Sequence, residues 1–315
     1  MSIPPTDFLN TLWNFTFQSP TLSPYRNALD DIIQPLLHAN GVLHNLPIVI
    51  SQSLQGDASQ VASLKAAWSC IYRAAKLFDD IEDGDSPLPL AQGINQGLGV
   101  LWVAHALLGD AGTGWTAEVR LAVLNRLHPC LLRATAGQQL DVEQAHIVPP
   151  RSTPDEWVAI ATAKSGELLG WVTWASAWVL TEDATVADAF ARFGINLGIL
   201  LQVVDDFEGV WGANGTDLTQ PTLTLPLCYA MMVAEAPIQA EITALLIHAR
   251  HGDGDAALTL RTLLEQLGSR EFLWTVAHHH AHQAEAAVAG LETVDSTVLR
   301  QLLTTLFPPY QHRGL

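Results

Sequence analysis

The sequence predicts an all-α protein. Long apolar stretches recur at helical spacing, strand signals are sparse, and the breaks between stretches carry turn residues. Helices are expected over about 24–40, 58–82, 91–108, 116–143, 153–180, 184–211, 222–234, 237–249, 255–267, 270–289 and 295–306. The breaks read "GDSPLP" (84–89), "GDAGTG" (109–114), "VPPRSTPDE" (148–156) and "GANGTD" (212–217). In "STPDEW" either Ser152 or Thr153 is placed to cap a helix, with proline and acids in the first turn. No repeat of 20 to 50 residues and no long linker is visible, so residues 1–315 are expected to form a single all-helical domain.

Composition supports a large core. Of 315 residues, 49% are hydrophobic and 15% charged, which argues against disorder. The formal net charge of −17 disfavours nucleic acid and anionic membranes as partners. The most apolar window, "LLGWVTWASAWVL" (168–180), is too short to span a bilayer, so no integral membrane segment is expected. The N-terminus has no basic and apolar regions of a signal peptide. Cys70, Cys130 and Cys228 lie far apart and read as reduced apolar residues of a cytoplasmic protein.

The helix "LKAAWSCIYRAAKLFDDIED" ends in Asp79, Asp80, Glu82 and Asp83, with Asp85 just beyond. Asp79 and Asp83 share a face; Asp80 lies about 100° round. Carboxylates here face the negative end of the helix dipole, so local folding energetics do not favour them. Alone, this cluster is either an acidic turn or half of a metal site. A second cluster shifts the balance: "GILLQVVDDFEG" (198–209) brings Gln202, Asp205, Asp206 and Glu208 onto a strongly apolar helix. Such carboxylates are expensive unless paired or metal-bound. Oxygen-only donors favour Mg²⁺ completed by water and substrate phosphate.

At this point the chain resembles a known family, the trans-isoprenyl diphosphate synthases. "DDIED" (79–83) is similar to their DDxxD motif and "GILLQVVDD" to their GxxxQxxDD element. "GQQLD" (137–141), "AKSGEL" (163–168) and "TDLTQPTLTLPL" (216–227) resemble three further motifs in the same order. The resemblance covers roughly residues 60 to 230. It implies a helical bundle of the isoprenoid synthase type around a deep apolar cavity, with both aspartate clusters at the mouth. It also implies Mg²⁺, three ions with bound diphosphate, and a homodimer. Asp79, Asp83 and Asp205 would hold metal, with Asp80 and Asp206 supporting them. Lys164 would contact a phosphate oxygen, and Gln138 and Gln202 would be polar contacts near the mouth. Asp141 would be a supporting residue.

Trp171, Trp174 and Trp178 form one stripe on the helix carrying Lys164. Such a stripe is either core or a surface that stabilises a substrate cation. In the family that the chain resembles, bulk near the positions of Ala74 and Ala75, shortly before Asp79, sets cavity depth, so the resemblance implies room for a long chain, of C20 size. "AHHHAHQAE" (277–285) reads as a polar helix surface rather than a metal site.

The chain also departs from the family. Elongating members carry GGKxxRP near the N-terminus, where "HANGVLHNLPIVI" (38–50) has no lysine or arginine. Leu88 and Pro89 stand about where an arginine pair follows DDxxD, Thr222 replaces a lysine, and Gly209 replaces a third aspartate. Several charge-assisted contacts to a second diphosphate are therefore lost together. The pattern implies a class I terpene synthase on this scaffold. One prenyl diphosphate would ionise, possible substrates including a preformed bicyclic diterpenyl diphosphate such as kolavenyl diphosphate. Two alternatives stay open: an elongating synthase using Arg26, Arg73 or Arg133 instead, and a non-catalytic subunit.

Overall fold

The computed structural model describes residues 4–308, and among these there are helices and turns but no strand. The all-α expectation holds. Two compact units are formed, one from residues 4–128, 171–191 and 288–302, the other from 129–170, 192–287 and 303–308.

In the first unit, α1 (Pro5–Thr16), α2 (Ser23–Leu37) and α3 (Leu46–Ser53) precede α4 (Ala62–Glu82) and α5 (Leu90–Gly109). α4 buries Leu64, Ala67, Trp68, Ile71, Ala74 and Leu77, the face expected from a 3.6-residue period. α5 packs closely against it because two glycines leave room. A Cβ on Gly93 or Gly97 would come within 2.8 Å of Ile81 or Phe78 respectively. α4 stops at Gly84, whose φ of +79° is the left-handed conformation that glycine tolerates at a helix C-terminus.

α6 (Ala117–Ala145) is followed by α7 (Pro154–Ala161), a π turn (Thr162–Gly166) and α8 (Glu167–Thr181). The single helix expected over 153–180 is thus interrupted. Thr153, not Ser152, is the N-cap, in a reciprocal capping box with Glu156. α9 (Ala184–Trp211) is the one helix among the described residues long and apolar enough to cross a membrane. It buries 61% of its most apolar stretch within the protein, as a core helix does.

In the second unit, α10 (Leu225–Val233), α11 (Ala236–Arg250) and α12 (Gly254–Gln266) close a core of Val210, Leu218, Leu227, Ile242, Leu246 and Leu260. α13 (Ser269–Val288) follows, and α14 (Ser296–Leu306) belongs to the first unit up to residue 302. On α13 the histidine run divides: His279 and His282 are exposed, but His280 is half-buried against Asn196 Oδ1 at 2.9 Å. His278 meets Phe307 edge-on. The polar-surface reading therefore holds for only part of the run. All three cysteines are free and buried.

Candidate active site

The first group of site residues lies in the last turn of α4. Asp83 caps the helix, its N–H donating to Asp79 C=O at 2.9 Å, and the Asp85 N–H donates to Asp80 C=O at 2.9 Å. Lys76, which the sequence reading did not single out, lies 3.1 Å from both Asp79 Oδ2 and Asp80 Oδ1. Burial works against its charge, but the two carboxylates outweigh that and raise its pKa. The i, i+3 and i, i+4 spacings were the signal that could have found it.

The second group is built by close helix packing in the second unit. Lys164 sits inside the π turn, whose wider winding is frequent at functional sites. A Cβ on Gly137 of α6 would come within 2.5 Å of the Lys164 backbone nitrogen. A Cβ on Gly198 of α9 would come within 2.6 Å of Gly166 Cα. Three of the motif segments therefore meet backbone to backbone, and each contributes the glycine that permits it. Lys164 Nζ donates to Asp141 Oδ2 at 2.7 Å, with both side chains mostly buried. Gln138 lies half-buried on α6, one turn before Asp141.

On α9, Gln202 Nε2 donates to Asp205 Oδ2 at 3.3 Å, as their spacing predicts. Asp205 is exposed while Asp206 is buried. Asp206 Oδ2 accepts the Leu225 N–H at 2.6 Å, so this carboxylate ties α9 to the first turn of α10. Burial pushes the Asp206 carboxyl well above its usual range, opposed by that N–H, while Asp217, Asp141 and Asp205 push it further up. Asp217 comes from the segment "TDLTQPTLTLPL", to which the sequence gives no site role of its own. Its carboxylate occupies the space a side chain at Gly209 would take. An acid therefore stands beside position 209 after all, supplied from eight residues later.

The aromatic stripe is packed. Trp171 is 1% exposed and donates its indole N–H to Val123 C=O at 3.1 Å. Trp174 stacks on Trp178 with centroids 5.5 Å apart, and the Arg126 guanidinium lies 4.5 Å from the Trp174 centroid.

Several cations are committed elsewhere. Arg133 Nε pairs with Glu167 at 2.7 Å, and Arg250 donates to Ala145 C=O at 3.0 Å and Thr222 C=O at 3.3 Å. In the 38–50 stretch Leu46 and Ile50 are fully buried, and Leu43 C=O accepts the Trp68 indole N–H at 2.7 Å.

The donor set is one a hard divalent cation would use, carboxylate oxygens; the nearby Cys228 is kept a protonated thiol by burial and by the Asp206 and Asp141 charges. Among the described residues no three acidic, histidine or cysteine side chains converge into a closed cage. A hard cation on such donors takes one or two carboxylates and completes its shell with water and substrate phosphate.

Residues 36–261 match the polyprenyl synthetase family. A geranylgeranyl diphosphate synthase from Mycobacterium tuberculosis is 31% identical over 198 residues, covering 56% of this chain and 54% of that one. The chain thus aligns with about half the length of that relative. A short chain isoprenyl diphosphate synthase from Methanothermobacter thermautotrophicus is 23% identical over 276 residues, 80% of each chain. A polyprenyl synthase from Caulobacter crescentus, complexed with calcium and isoprenyl diphosphate, shares the fold at a TM-score of 0.70. It is 22% identical and covers 95% of each chain. With its motifs in order and most of its length matched, the chain belongs to the polyprenyl synthetase family.

Proposed function

We propose that this protein is a class I terpene synthase that ionises one prenyl diphosphate and does not condense it with a second. The observation that carries this reading is the packing of the 38–50 stretch. Where elongating relatives have lysine and arginine, this chain has leucines, one fully buried and one with its carbonyl bonded to Trp68. Arg133, which could have compensated, is paired with Glu167. Such losses remove charge-assisted contacts that a second diphosphate would need.

Asp79 and Asp83, supported by Asp80, would hold Mg²⁺, and so would Asp205, supported by Asp206. Bound Mg²⁺ would neutralise the diphosphate and make it a better leaving group. Lys164, oriented by Asp141, adds a fixed positive charge for a phosphate oxygen, and Gln138 and Gln202 contribute polar contacts. The allylic C–O bond breaks heterolytically, the electron pair leaving with diphosphate. The cation then loses a proton, cyclises, or gains a C–O bond from water, whose proton passes to solvent or diphosphate. The packed stripe of Trp171 and Trp174 would keep water away from that cation.

A C20 substrate is proposed, including a bicyclic one such as kolavenyl diphosphate, the type of reaction run by kolavelool synthase. We also assign the exposed stripe Leu90, Ile94, Leu98 and Trp102 on α5 to a homodimer contact.

The elongating reading has its own support: the relatives include a geranylgeranyl diphosphate synthase and a short chain isoprenyl diphosphate synthase. Purified protein with Mg²⁺ and C10 to C20 allylic or bicyclic diterpenyl diphosphates separates the two. Hydrocarbon or alcohol formed without isopentenyl diphosphate supports the terpene synthase, and strict dependence on isopentenyl diphosphate defeats it. Asp79→Ala and Asp205→Ala should each abolish turnover; full activity in either removes that residue from the metal set.

A further inference from the structure

Lys76 has no packing reason to be where it is. Its side chain is 53% exposed, and the carboxylates it touches are 27% and 22% exposed. With the ammonium half-exposed to water, the pair contributes little to folding. What the lysine does is geometric: Asp79 and Asp80 diverge by about 100° around the helix, yet one oxygen of each lies 3.1 Å from the same nitrogen. The ammonium gathers the two oxygens at one point. It also halves the net charge that the pair presents to any other cation.

We propose that Lys76 is an internal counter-ion of the first aspartate cluster: it competes with a free divalent cation for Asp79 and Asp80, and transfers to a phosphate oxygen when the cation arrives with diphosphate. The proposal rests on the reading of Asp79, Asp80 and Asp83 as metal ligands. Affinity for a hard divalent cation rises with ligand charge, so Lys76 weakens binding of the bare ion. Its flexible four-carbon stem and three rotatable donors allow it to change partner without moving the backbone. Metal loading is thereby coupled to arrival of the diphosphate, which limits metal held without substrate.

The test is Mn²⁺ binding followed by electron paramagnetic resonance of the free ion, with and without inorganic pyrophosphate. Without pyrophosphate, Lys76→Met should lower the Mn²⁺ dissociation constant by about 3- to 10-fold. With pyrophosphate the same variant should bind no tighter than the native protein, or more weakly. Lys76→Arg, which keeps the charge, should stay within about twofold of the native protein in both conditions. A lysine that only supports structure would not invert sign with pyrophosphate. Unchanged or weaker Mn²⁺ binding by Lys76→Met without pyrophosphate overturns the proposal, and tightening that persists with pyrophosphate overturns the transfer to phosphate. Asp79→Asn separates the two levels. If it leaves Mn²⁺ binding intact, the metal reading itself falls; if it weakens binding while Lys76→Met changes nothing, only the counter-ion falls.

Discussion

Lys164 donates to Asp141 at 2.7 Å, joining the π turn to α6 through two mostly buried side chains. Asp141 thus fixes where the ammonium points. Lys164→Gln should lower kcat by about 10²- to 10³-fold, the scale for losing one preorganised donor to a developing anion. Asp141→Asn, which keeps the lysine but loosens it, should give a smaller loss with KM rising too. Steady-state kinetics on the accepted diphosphate substrate checks both. Equal losses in the two variants would mean that Asp141 does more than orient.

The glycine contacts predict a contrast between two alanine substitutions. Gly198→Ala drives a methyl to within 2.6 Å of Gly166 Cα, where backbone must move. It should cost about 1–3 kcal/mol of stability and reduce activity by displacing Lys164. Gly109→Ala, at the end of α5 with nothing within 4 Å, should be neutral or gain up to about 1 kcal/mol. Urea unfolding of the two variants measures the difference.

Much of this arrangement was legible because helix spacing is local. The buried face of α4, the Gln202 to Asp205 hydrogen bond and the capping box near Thr153 all follow from i, i+3 and i+4 relations. What escaped was non-local or irregular. The eight residues of α3, "LPIVISQS", place five apolar residues in a row and then three polar ones, with no 3.6-residue period to read. α1 begins at Pro5, directly after Pro4, and is only 12 residues long. The π turn adds to the winding at Lys164 without leaving any gap in the apolar pattern. Asp217 reaches Gly209 through a folded turn, and Arg250 reaches Thr222 from a different helix; neither contact has a sequence spacing to announce it. The motif glycines Gly137, Gly166 and Gly198 were visible, but their role was not, since each is explained by a different segment.

The α5 stripe makes a prediction about assembly. Leu90, Ile94, Leu98 and Trp102 recur every fourth residue and are exposed, Trp102 by 65%. If a second copy covers them, Trp102→Glu should convert a dimer to monomer in sedimentation velocity at micromolar concentration. It should leave the helical circular dichroism unchanged, because the residue is mostly exposed and its ring contact is with His105 on the same helix. A native protein that sediments as a monomer would set the homodimer aside.

His280 carries a pH prediction. Its Nδ1 lies 2.9 Å from Asn196 Oδ1, and His279 is its neighbour on α13. Burial, with a smaller push from His279, lowers its pKa to about 4, against 6.5 for an unperturbed ring. A base held neutral in the fold takes its proton first in the unfolded chain. Its stabilising contribution is therefore complete above pH 6.5 and is lost as pH falls towards 4. For a partly exposed ring, solvent screening reduces the effect to about 1–2 kcal/mol. The comparison that isolates it is His280→Gln against the native protein, because other titrations cancel in the difference. The variant should be the less stable of the two at pH 7.5, and the gap should narrow as pH falls from 6.5 to 4. Urea midpoints taken across that window measure the gap. If it stays constant, the ring titrates alike in the folded and unfolded chain, and its burial against Asn196 has no bearing on acid stability.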